Sequence, residues 1–182
     1  MMKRLSGVLA GAVLAVGFSA AGAQAQSAAQ TKCVSAKTDW SVCVWEKPKE
    51  CWGVSTPKES VNSRGGKPVQ VRRGDTMLFV TYRPGQNARG EVSFTPGYAY
   101  GAGATVTLQI GSERFTMVTD GEWAWPRDAA QDTAILAAMR RGNEAVLTGS
   151  SSRGTDTRDT FSLRGFTAAM QPLQLMLVLN RC

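Results

Sequence analysis

The segment "ATVTLQIGSERFTMV" (residues 104–118) alternates apolar and polar residues with period two. Val106, Leu108 and Ile110 point one way and Thr105, Thr107 and Gln109 the other, as in a strand with one buried face. Gly111-Ser112 then separates this run from "ERFTMV". A glycine-first two-residue loop between two alternating runs predicts a type II′ hairpin and so an antiparallel pair. The same rhythm extends in both directions. "WSVCVW" places Trp40, Val42 and Val44 on one face. "EVSF" turns Val92 and Phe94 inward. "TMLFVTY" (76–82) is apolar on both faces, the pattern of a central strand covered from both sides. "AVLTG" and "TRDTFSL" read as two later strands. Gly65-Gly66, Pro84-Gly85 and Pro96-Gly97 mark turns. Short, frequent strands of this kind predict an all-β antiparallel sandwich with one or two short α-helices packed on it.

The clearest helix lies in "GEWAWPRDAAQDTAILAAMRRG" (121–142). Asp128 is a good N-cap, with Gln131 three residues on. Ile135, Ala138 and Met139 follow at helical spacing. Arg140 and Arg141 suit the negative end of the helix dipole. Gly142 stands where a left-handed cap is expected. A second helix starts near Thr167, and Pro172 should end or kink it. "LQLMLVL" (173–179) fits either strand or helix.

Trp123 and Trp125, at i and i+2 of a strand, share a face. Burying one indole removes on the order of 200 Å² from water, nominally about 5 kcal/mol. With Pro126 and the capped helix directly after them, they are expected to anchor that helix. The alternative is a binding surface made of Trp45, Trp52, Trp123 and Trp125.

The chain has 182 residues. Lys3 and Arg4, the apolar run Leu5–Phe18 and the Ala23-Gln24-Ala25 pattern predict a signal peptide over 1–25. Residues 26–38 read as a flexible leader and 39–182 as a single β-sandwich domain. No later apolar stretch is long enough for a membrane span. The formal charge is +7, and loss of Lys3 and Arg4 lowers it by two. The cations are scattered and interleaved with acids, which favours weak contact with an anionic envelope component or a partner protein rather than nucleic acid. Four cysteines in an exported chain, Cys33, Cys43, Cys51 and Cys182, predict two disulfides with three possible pairings.

The chain contains no histidine, which excludes Ser-His and Cys-His nucleophile pairs and removes the commonest metal ligand. Gly149–Thr155 has phosphate-loop glycine spacing but no lysine, so it reads as a turn. Gly97, Gly101 and Gly103 precede a strand, not a helix, and form no dinucleotide fingerprint. Asp120 and Glu122 are a formal carboxylate pair for glycoside cleavage, but at this spacing they read as the lip of a turn. Asp156 and Asp159, set among Arg153 and Arg158, suggest cross-strand charge pairing. No catalytic, metal or cofactor site follows.

The strings "DWSVCVWEKPKECWGVSTPKESVNSR", "VRRGDTMLFVTYRPG", "EVSFTPGY", "FTMVTDGEWAWP", "AAMRRG" and "SSRGTDTRDTFSLRGFTAA" together resemble the invasion-associated locus B family of alphaproteobacterial exported proteins. The resemblance runs from about Asp39 to Ala169. It implies a compact β-rich periplasmic domain, periplasmic or outer-membrane association, and a link to host-cell entry in pathogenic members. It supplies no active site. It also implies a Cys51–Cys182 bridge, which leaves Cys33–Cys43 as the second; a local Cys43–Cys51 clasp is the competitor. The tail after Met170, with Pro172, departs from the helical ending of the family. The expected function is therefore non-enzymatic binding of an unknown protein, envelope or host-surface component. The alternatives are a glycan- or peptidoglycan-binding module and a carbohydrate-active enzyme.

Overall fold

The computed structural model describes residues 32–86, 88–179 and 181–182. The expected signal peptide and residues 26–31 of the expected leader lie outside them. The strands are β1 (Lys32–Lys37), β2 (Trp40–Glu46), β3 (Lys49–Ser55), β4 (Glu59–Arg64), β5 (Lys67–Pro68), β6 (Met77–Arg83), β7 (Ala88–Thr95), β8 (Thr105–Ile110), β9 (Glu113–Asp120), β10 (Trp123–Trp125), β11 (Glu144–Ser150) and β12 (Asp156–Ser162). The helices are α1 (Ala129–Arg141) and α2 (Phe166–Val178). The strands join in one antiparallel sheet of order β1-β2-β3-β6-β7-β10-β9-β8-β11-β12-β4-β5.

This sheet folds over itself. The short link after β3 carries the chain from one end of the strand order to the other, where β4 pairs with β12. The Trp40 indole N–H on β2 donates to the Ser162 carbonyl at the end of β12 (3.0 Å). Phe94 of β7 meets Phe161 of β12 edge-on, centroids 6.0 Å apart. These two strands are far apart in the strand order, so the contact crosses the core. Leu78, Val80, Val92, Val106, Leu108 and Met117 fill the space between the layers.

The β8–β9 hairpin has the expected register, with Ile110 opposite Glu113. Gly111 has φ +58, as the first position of a II′ turn requires. Residues 32–37, expected as the end of a loose leader, instead form β1. Their pairing with β2 and the Cys33–Cys43 bridge order a polar segment that has no apolar pattern of its own. The second bridge is Cys51–Cys182.

Helix α1 begins as its sequence predicts. The Asp128 carboxylate accepts from the Gln131 backbone N–H (2.8 Å), and the Gln131 side chain accepts from the N–H of Arg127 (2.8 Å). Ile135, Leu136, Ala138 and Met139 are buried, and the helix packs on β7 and β9. The left-handed cap expected at Gly142 does not form, since its φ is −82. Glycine serves close approach there: a Cβ would lie 2.5 Å from the Ile110 Cγ2 and 3.1 Å from the Leu163 Cδ1.

Helix α2 runs through Pro172 to Val178, so the proline does not end it, and neither the strand alternative nor the expected departure from a helical ending holds. Phe166, Ala169, Met170 and Leu173 are buried at i, i+3, i+4 and i+7, and this apolar stripe packs on β1, β2, β3 and β6. Tertiary packing there outweighs the hydrogen bond that proline removes. Gly165 precedes the helix with φ +85, and a Cβ on it would sit 1.9 Å from the Lys37 carbonyl oxygen. Only glycine fits that contact.

Candidate functional site

The outer face of β2, β3, β6, β7 and β10 carries Trp45, Trp52, Phe79, Trp123 and Trp125, while Trp40, Tyr82 and Phe94 of the same strands are in the core. Along β10 the inward position is Ala124, fully buried and paired with Phe94. Trp123 and Trp125 flank it and point outward. The expectation that they anchor α1 is thereby corrected. They share a face, as period two demands, but it is the outer one, and α1 is anchored by its own aliphatic residues. The Trp123 and Trp125 rings stack with centroids 6.2 Å apart at 22°, and Phe79 meets Trp123 at 5.7 Å. Trp123 is 37% exposed; Trp125 is half-buried.

Pairing register brings the other two tryptophans to the same place. Trp52 stands opposite Thr81, and Thr81 opposite Glu91. Trp45 stands opposite Glu50. The four tryptophans and Phe79 thus line one groove of about 290 Å³. All four positions named as an alternative binding surface converge on it. The Trp45 indole N–H has no acceptor among the described residues.

Arg83 closes one side of the groove. Its guanidinium holds Glu50 (Nε to Oε1, 3.0 Å) and Glu91 (Nη1 to Oε1, 3.0 Å). Burial acts to lower the Arg83 pKa, but the two carboxylates outweigh it and hold the pKa above its ordinary value. Two carboxylates and one guanidinium are therefore fixed by one another, with net charge −1. Sequence reading missed Phe79, Glu50, Arg83 and Glu91. It took "TMLFVTY" as covered on both faces, whereas Phe79, Thr81 and Arg83 alternate along β6 as one wall of the groove. A mixed aromatic–polar second face was the available signal.

A second cavity of about 620 Å³ shares Trp125 and Glu91 with the first. Asp132 of α1 lines it and accepts from the Val92 backbone N–H (2.7 Å). Burial pushes the Asp132 carboxyl up to about 6, against that hydrogen bond and with help from the Glu91 and Asp128 charges.

The other candidates lie elsewhere. Asp120 and Glu122 are exposed in the β9–β10 turn and do not line the groove. Gly149–Thr155 is the β11–β12 turn. The charge pairing expected of Asp159 is also corrected. Asp159 faces inward with Thr157 and Phe161, while Arg158 faces out, so the two cannot pair. Arg73 reaches Asp159 instead, from the extended segment before β6, through two hydrogen bonds of 2.9 and 2.6 Å. Ser60 also donates to it (2.6 Å). The Arg73 guanidinium lies over the Tyr98 ring, 5.4 Å from its centroid. Asp156 accepts from the Ser150 hydroxyl. Among the described residues, no cluster of three or more His, Cys, Asp or Glu side chains is placed to hold a metal ion.

A family model described as Invasion associated locus B (IalB) protein matches residues 40–174. That span is most of the chain, and the chain belongs to this family. Among solved structures, the crystal structure of invasion associated protein b from Bartonella henselae is similar, with a TM-score of 0.52. The two are 15% identical, and the match covers 84% of this chain and 98% of that one. At that identity the likeness is one of fold. No curated protein matches the chain.

Proposed function

We propose that this member of the invasion-associated locus B family is exported to the periplasm and works by binding rather than by catalysis, with the tryptophan groove as its contact surface. One observation carries the reading. Four indoles from two separate stretches of sequence are gathered on an outer face, where they add little to the core. Grouping half-buried and exposed aromatic side chains on an outer face adds little to a monomer's core, and such patches mark contact surfaces. The paired cysteines support an oxidising compartment, and the signal-like N-terminus supports export. Involvement in host-cell invasion is proposed from the family and from the printed name of the Bartonella protein.

The experiment is retention of envelope material on the immobilised chain, compared with the double variant Trp52→Ala/Trp125→Ala. The reading expects retention by the native chain and loss in the variant. Equal retention by both would remove the groove from the account. Cell fractionation tests export, with the native chain expected in the periplasmic or membrane fraction and a form with Leu9→Arg and Leu14→Arg held in the cytoplasm.

A further inference from the structure

We infer that the groove takes an uncharged oligosaccharide, laid with the flat apolar face of its sugar rings on the indoles. This rests on the binding reading above and names its ligand class. The lining offers aromatic surface to a weakly polar ring: Trp123 and Trp125 stack within 22° of parallel, and Phe79 meets Trp123 at a tilt of 47°. A sugar ring combines such a face with a rim of hydroxyls. The groove answers that rim with both hydrogen-bonding senses. Glu50 and Glu91 accept, Arg83 donates, and all three are held by their mutual ion pairs, so little order is lost on binding.

Charge argues in the same direction. The chain is strongly basic, at +7, yet the groove holds two carboxylates against one guanidinium. A phosphate-rich ligand would meet those carboxylates, and with Arg83 engaging both of them only a net charge of −1 remains to draw a cation. An extended peptide finds no open backbone edge here, because β3, β6 and β7 are each paired on both sides, which removes strand addition as a binding mode. The second cavity borders the first, with Trp125 and Glu91 lining both, so a longer ligand has a further concave surface beside it. That favours a chain of sugars over a single one.

The test uses the native disulfide-bonded chain and follows tryptophan fluorescence. The probes are the neutral oligosaccharide fraction of the envelope freed of protein and lipid, the same fraction hydrolysed to single sugars, and the glycan-free envelope protein fraction. The inference expects saturable quenching by the intact oligosaccharides and its loss after hydrolysis. It expects about tenfold weaker apparent affinity in Trp123→Ala/Trp125→Ala and retained binding in Trp125→Phe, which keeps an aromatic face. Circular dichroism checks that each variant folds. Groove-dependent quenching by the protein fraction alone would overturn the sugar assignment and leave the binding reading standing. Quenching by none of the three probes would overturn both.

Discussion

Arg73 and Asp159 pose the sharpest energetic question at the scale of a residue. The Asp159 side chain is fully buried and that of Arg73 is 9% exposed. Removing one partner of a buried pair leaves an uncompensated charge, which typically costs about 3–5 kcal/mol. Arg73→Met should therefore lower the unfolding free energy by about 3–5 kcal/mol in denaturant titration, and adding Asp159→Leu should recover part of it. Asp132 gives a pH signature. Its folded pKa, about 6, stands above the ordinary 3.8, so the fold binds a proton that the unfolded chain has released. The stability this supplies is present below about pH 4 and is lost as pH rises through about 6. Melting temperature should accordingly rise as pH is lowered from about 7 towards about 5, measured against Asp132→Asn, in which that component is flat. Glu91 and Asp128 face the same carboxyl and remain in both proteins, so the comparison isolates Asp132.

Among the elements, α2 depends most on distant chain. Its stripe packs on four strands, and its far end is tied back by Cys51–Cys182, a closure of 131 residues. A loop of that length is nominally worth roughly 4–5 kcal/mol in the chain-entropy model. Cys51→Ser/Cys182→Ser should lower stability by about that much, and the near-ultraviolet dichroism of Trp40, which meets Phe166 at 5.0 Å, should weaken as α2 loosens. At the helix start, Gly165→Ala should be strongly destabilising, because the added methyl meets the Lys37 carbonyl. The hairpin β8–β9 and the α1 N-cap were legible because their signals are local: alternation, a glycine-first loop, an Asp three residues before the N–H it accepts from. The course of α2 was not legible. Pro172 reads as a stop, and the packing that overrides it comes from strands far earlier in the chain, β6 the nearest of them at Met77–Arg83.

For the whole molecule, the sheet was readable as a set of strands, but which face of each strand turns outward was not. Period two fixes that Trp123 and Trp125 lie together. It does not say on which side, and residue size points the wrong way here, since the small Ala124 takes the core position and the two indoles take the surface. The Arg73–Asp159 pair was equally hidden, because 86 residues separate its members. The groove needs five strands in register before it exists, so its residues could be named singly but not assembled. The central claim is that these indoles form an outward binding surface and not a core anchor. Its most direct test is the unfolding free energy of Trp123→Ala/Trp125→Ala, measured beside envelope binding. A surface groove predicts a loss of no more than about 2 kcal/mol together with loss of binding. A loss of about 3–5 kcal/mol per tryptophan, the range for core aromatics, with binding unchanged in the folded fraction, would contradict it.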